Sequence, residues 1–156
     1  MKRLTKEISH FFKKQSFTIV TTVGKGGIPH NSCKGIVEIS KGGKVYLLDL
    51  YKQKTYGNLR RNPRMSVTAV DEHRFRGYCL KGKAKLITKE KLDPQVISAW
   101  EDKMTDRITR RVIKNIHEEK GHPRHPEALF PGPAYMIVMQ IEEVVDLTPH
   151  HLRPEV

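Results

Sequence analysis

The stretch from Val45 to Val70, VYLLDLYKQKTYGNLRRNPRMSVTAV, constrains the fold more than any other part of the chain. An apolar strand runs into a basic turn and a short helix. Asn62-Pro63 then ends the helix, and a second strand begins. Proline cannot continue a helix and biases Asn62 away from helical dihedrals. This order puts Lys52, Lys54 and Thr55 at the start of a helical turn, directly after a buried strand. Free backbone N–H groups, a hydroxyl and two ammonium groups converge there, with Tyr56 and Asn58 completing the set. Such an arrangement suits a phosphate. A solvated basic turn fits the same spacing, because Lys-x-Lys-Thr is a common string.

The flanking sequence is strand-rich. Phe17 to Val23, FTIVTTV, is β-branched and reads as a strand. GKGGIP turns the chain into a second strand over His30 to Ser40. Lys41-Gly42-Gly43 leads into a third over Lys44 to Leu50. Met65 to Val70 is the fourth and Arg74 to Thr88 the fifth, with Gly77 and Gly82 as bulges or close-approach points. Ala134 to Asp146 is the sixth. An amphipathic helix covers Leu4 to Phe12. A long one covers roughly Lys89 to Glu119, where Leu92, Val96, Trp100, Met104, Ile108, Val112 and Ile116 recur every four residues. Pro94 fits its first turn, and Gly121 with Pro123 ends it. Leu147 to Val156 is a polar tail. With no repeat and no linker, residues 1–156 read as one domain: a small antiparallel barrel of six strands in meander order with helices packed on it.

The 156 residues suffice for a core, and no apolar run reaches the length of a membrane span. MKRLTKEISHFFKKQ lacks the apolar stretch of a secretory signal. Cys33 and Cys79 lie far apart without CxxC spacing, so a cytoplasmic protein with two thiols is expected. Both cysteines read as small buried apolar residues. The formal charge is +12. It is dispersed over several segments, including Arg107, Arg110, Arg111 and Lys114 on the long helix, which read as a solvated face. Without aromatic platforms or base-reading groups nearby, nucleic acid is not the expected partner. Trp100 and Met104 read as core or dimer contacts. His117, His122 and His125 could hold a metal with Glu118 or Glu119, but a polar loop after a helix end is the simpler reading, and no metal is expected.

The segments FTIVTTV, GGIPHNS, KVYLLDL, KTYGNLRRNPRMSV and LKGKAKLI, in that order, resemble the pyridoxamine 5'-phosphate oxidase-like, FMN-binding split-barrel family. The resemblance runs from about Glu7 to Pro149. It implies a mainly β, six-stranded antiparallel split β-barrel with flanking helices, and a homodimer with FMN at the subunit interface. Carried over by position, Lys54 and Thr55 match the basic pair that grips the FMN phosphate, and Lys52 would assist. Leu48 and Asp49 match strand residues beside the flavin and its ribityl chain. Asn31, Ser32, Cys33 and Lys34 match the strand whose backbone follows the isoalloxazine edge. Arg76 and Gly77 match a strand region reaching the ring from the other side. Three positions depart from the pattern: Gln53 stands where Ser or Thr is usual, Lys54 where Arg is usual, and Asp49 where Thr is common.

The function implied is FMN-dependent oxidoreduction of a small molecule. No side chain stands out as a general acid or base. The tail HHLRPEV offers only Arg153, which argues against oxidation of the pyridoxamine phosphate vitamer itself. The alternatives are an FMN-holding electron carrier or storage module without its own substrate, a deazaflavin- or haem-binding split barrel, and a basic nucleic-acid-binding barrel.

Overall fold

The computed structural model describes residues 4–117 and 130–153. Seven strands form one antiparallel sheet: β1 (Thr18–Val23), β2 (Pro29–Lys34), β3 (Ile36–Ile39), β4 (Lys44–Asp49), β5 (Arg64–Asp71), β6 (Arg76–Thr88) and β7 (Tyr135–Asp146). Among the described residues three α-helices accompany them: α1 (Lys6–Lys13), α2 (Lys54–Arg61) and α3 (Pro94–Ile116).

The expected six strands become seven because the second one breaks at Gly35. Before the break β2 pairs with β1, and after it β3 pairs with β4. The order across the sheet is β2-β1-β5-β6-β7-β4-β3, not a meander. Strands β4 and β5, consecutive in the chain, are not neighbours, because α2 carries the chain over the barrel end between them. The two edge strands, β2 and β3, are separated by one residue. A single residue cannot span a flat seven-stranded sheet, so the sheet must curl until its edges meet. The split barrel follows from that connection.

Alternation sorts the side chains into two cores. Val20, Val45, Leu47, Val67, Leu80, Ile137 and Met139 fill the barrel interior, and Phe12 of α1 closes it. On the outside, Leu48, Met136 and Val37 pack with Leu92 beneath Val96, Ile97 and Trp100 of α3. Helix α1 starts where Thr5 Oγ1 accepts from the Ile8 N–H at 3.2 Å. Helix α3 starts where Asp93 accepts from the Gln95 N–H at 2.8 Å, with Pro94 in its first turn as expected. Its end at Ile116 falls short of the expected stop, and Gly121 and Pro123 lie outside the described residues.

Two features hold the barrel to this shape. At Gly82, where the β6–β7 register shifts, an added Cβ would fall 1.9 Å from the Gln140 carbonyl oxygen. Only glycine permits that approach, as its place in the sequence suggested. The second feature is a buried polar knot. Lys34 Nζ of β2 lies 2.6 Å from Asp49 Oδ2 of β4, with the two side chains 9% and 11% exposed. Tyr135 of β7 donates its hydroxyl to the same oxygen at 2.6 Å. The Leu50 N–H donates to the other oxygen at 2.9 Å. Burial, and then the bond to Asp49, raise the Tyr135 phenol above its ordinary pKa, so it stays a donor.

No helix among the described residues is long and apolar enough to cross a membrane.

Gly82→Ala should lower stability by about 3 kcal/mol or more, since backbone must move to admit the methyl; the midpoint of urea unfolding checks this. Lys34→Met should cost about 3 kcal/mol by leaving a buried carboxylate without its counter-charge. The double variant Lys34→Met/Asp49→Leu should recover much of that loss. A loss in the double variant equal to the sum of the losses in Lys34→Met and Asp49→Leu would show that the pair is not coupled.

Candidate functional site

A cleft of about 560 Å3 opens where the barrel edges meet. That size suits a cofactor or a small ligand. One wall is β2, the end of β4 and the start of α2, and the other is α3, with the end of α1 between them. Strand β2 is an edge, paired only with β1, so half of its backbone N–H and C=O groups have no strand partner.

The start of α2 is built for an anion. Its N-cap, Gln53, makes no side-chain capping bond, so the first N–H groups of the helix lack that partner. Lys54 and Thr55 occupy this turn and line the cleft. Thr55 is buried, and its hydroxyl lies 3.1 Å from that of Ser32 on β2. Two hydroxyls, one ammonium and a helix N-terminus therefore share one corner.

Seven of the residues anticipated from sequence line this cleft: Ser32, Cys33, Lys34, Leu48, Asp49, Lys54 and Thr55. Their roles differ. The charges of Lys34 and Asp49 are spent on each other, so the Asp49 carboxylate serves the barrel and has internal partners. Cys33, expected to be buried, is exposed, because on β2 it alternates with the inward-facing Ser32 and Lys34. Cys79 is half-buried rather than core.

Four anticipated residues lie elsewhere. Asn31 is on the outer side of β2, where Thr21 Oγ1 donates to its Oδ1 at 2.7 Å. Lys52 lies over the Tyr56 ring, 5.5 Å from its centroid, and Tyr56 packs edge-on against Tyr135. Asn58 sits one helical turn past Lys54 and points into the barrel; it donates to Thr22 Oγ1 at 3.0 Å and accepts from Arg61 at 2.7 Å. Arg76 donates to Glu7 at 2.6 Å and to the Tyr78 hydroxyl at 3.2 Å, and Gly77 lies beside it, against Val70 and Leu147.

The structure also supplies a wall that sequence reasoning missed. Trp100, Lys103, Met104, Arg107 and Arg110 of α3 all line the cleft. Their spacing of three and four residues puts them on one helical face. The arginines had read as a solvated face, because the helix pattern does not reveal what lies opposite. Lys103 donates to the Ile36 carbonyl of β3. Burial, and then the charge of Lys13, hold Lys103 below the ordinary lysine pKa. The Arg107 guanidinium lies over the Phe17 ring, 4.1 Å from its centroid, and Arg110 pairs with Asp106 at 2.7 Å. His30 is the one imidazole lining the cleft among the described residues. His117 caps the end of α3, while His122 and His125 lie outside the described residues. No group of three metal-ligating side chains occurs among the described residues.

The fold is similar to several solved structures. HupZ of Group A Streptococcus matches with a TM-score of 0.63 and 16% identity, over 92% of this chain and 94% of that one. An F420 reductase matches with a TM-score of 0.57 and 14% identity, over 88% and 94%. The haem storage protein HutZ of Vibrio cholerae matches with a TM-score of 0.56 and 16% identity, over 92% and 94%. At such identities the likeness is one of fold. No match was found among curated protein sequences. The sequence does match the family model described as pyridoxamine 5'-phosphate oxidase over residues 4–127. Because that match runs from the start of α1 past the end of α3 and spans both walls of the cleft, the chain belongs to the pyridoxamine 5'-phosphate oxidase family.

Proposed function

We propose that the cleft binds FMN and that the protein uses it to oxidise or reduce a small molecule. The observation that carries this reading is the corner at the start of α2, where Lys54, the Thr55 and Ser32 hydroxyls and an uncapped helix N-terminus converge. A phosphomonoester needs such a set of charge-assisted donors. The flavin ring would follow the open edge of β2, whose backbone can both donate and accept. Leu48 and Trp100 supply apolar surface along the same cleft. FMN would supply the electron-transfer chemistry, while the protein binds, orients and shields it. The Lys34–Asp49 pair ties β2 to the end of β4 within one wall of the cleft.

A homodimer belongs to the same reading. Ile19 and Val70 are 46% and 59% exposed on the outer face of β1 and β5, and Leu147 is 44% exposed. Ile19 stands opposite Thr68, two residues from Val70, and Val70 and Leu147 both flank Gly77. These exposed apolar side chains suit burial against a second copy.

Haem is the second reading. His30 on the cleft wall offers an imidazole, and one protein of the same fold bears the name of a haem storage protein.

The purified protein should retain FMN through a desalting column, with the flavin fluorescence quenched. Lys54→Ala should weaken FMN binding by about 1.5–3 kcal/mol; an unchanged dissociation constant would remove Lys54 from the phosphate site. Retention of haemin in place of FMN, with a Soret band that His30→Ala shifts, would favour the second reading. Val70→Glu should convert the dimer to monomer in sedimentation equilibrium, and a monomeric wild-type protein would dispose of the dimer.

A further inference from the structure

Lys103 lines the cleft from the middle of α3. It is half-buried, and its hydrogen-bond partner among the described residues is a neutral group, the Ile36 carbonyl of β3. The charged groups around it leave it in that state. Lys13 and Lys14 reach the same space from the end of α1, and Asp106 and Arg107 from α3 itself. Asp106 is exposed and pairs with Arg110, and Arg107 lies over the Phe17 ring. The opposite wall brings His30, Lys34, Asp49 and Lys54. Lys34 and Asp49 pair with each other at 2.6 Å. No carboxylate among the described residues pairs with Lys103.

Burial disfavours the charged form of an amine, and the like charge of Lys13 disfavours it further. Lys103 therefore releases its proton at a pH where exposed lysines keep theirs. A neutral amine in a cleft is a nucleophile. One of its N–H groups donates to the Ile36 carbonyl, which orients the nitrogen and leaves its lone pair free. Trp100 and Met104 of α3 and Ile36 and Val37 of β3 line the same cleft and give it apolar surface.

We propose that Lys103 is a covalent site for aldehydes, in which its Nζ joins the carbonyl carbon as an imine inside the cleft. The nitrogen lone pair adds to the carbonyl carbon. Both amine hydrogens and the carbonyl oxygen then leave as water, and C=N replaces C=O. The step is a condensation and needs neither oxidant nor reductant. A proton taken up from solvent converts the imine to an iminium ion, which keeps one N–H for the Ile36 carbonyl. An aldehyde carried on an aromatic or branched apolar group suits the surface given by Trp100, Met104 and Ile36. The site is independent of the flavin reading, because it draws on α3, β3 and α1 and not on the start of α2.

Benzaldehyde with sodium cyanoborohydride is the probe. The hydride reduces each imine to a stable secondary amine, and peptide mapping by mass spectrometry locates it on the full chain. Only lysine side chains are scored, since an α-amino terminus also loses its proton near neutrality. At about pH 7, where ordinary lysines are protonated, Lys103 should be the first lysine labelled, ahead of Lys85 at an exposed site on β6. Raising the pH should close that gap, because the exposed amines then lose their protons too. Lys103→Arg should lose the early lysine label, with the remaining lysines labelled as before. Should that variant fail to fold, the order of labelling in the wild-type protein decides alone. Label that reaches Lys85 before Lys103, or together with it, would overturn the proposal. So would an early lysine label that persists in folded Lys103→Arg.

Discussion

The Lys34–Asp49 pair closes the barrel. Strands β2 and β4 belong to opposite margins of the sheet, and this 2.6 Å contact draws them together. Three donors converge on one carboxylate, from β2, from β7 and from the backbone just after β4. A buried ion pair of this kind repays its desolvation only when the geometry is good and the remaining lone pairs are satisfied. Here the Tyr135 hydroxyl and the Leu50 N–H meet that need. The pair specifies where the edges meet, and the cleft is the space they leave.

From that closure the rest of the site follows. With β2 held as an edge, its backbone is open along one side and Ser32 faces Thr55. With β4 held in place, α2 begins where the strand ends and turns its N-terminus to the cleft. Leu48, on the other side of β4, seats α3 through Trp100. The basic face of α3 is therefore directed inward by the same strand that positions the start of α2.

Much of this was legible in the residues. The β-branched run FTIVTTV, the paired glycines of the β3–β4 turn and the Asn62-Pro63 stop each encode a local preference that tertiary structure kept. Gly82 showed itself because a lone glycine in a strand marks close approach. Lys54 and Thr55 were legible because a helix start after a strand has few geometries. The rest depended on partners distant in sequence. The break at Gly35 has no turn signal of its own; it exists because the two halves of HNSCKGIVEIS pair with different strands. Asn31 was grouped with Ser32 and Lys34 for the backbone of their strand, but its side chain is held on the outer side by Thr21. Asn58 was grouped with Lys54, although it points to Thr22 inside the barrel. The basic stripe of α3 was visible as a stripe, but nothing within the helix says that a cleft lies beneath it.

A crystal structure of the protein grown with FMN is the most direct test. The account predicts the phosphate at the first turn of α2, within hydrogen-bond reach of Thr55 and Lys54, with the ring along the edge of β2 and the Lys34–Asp49 contact unchanged. A flavin bound outside the cleft, or a phosphate remote from α2, would contradict it.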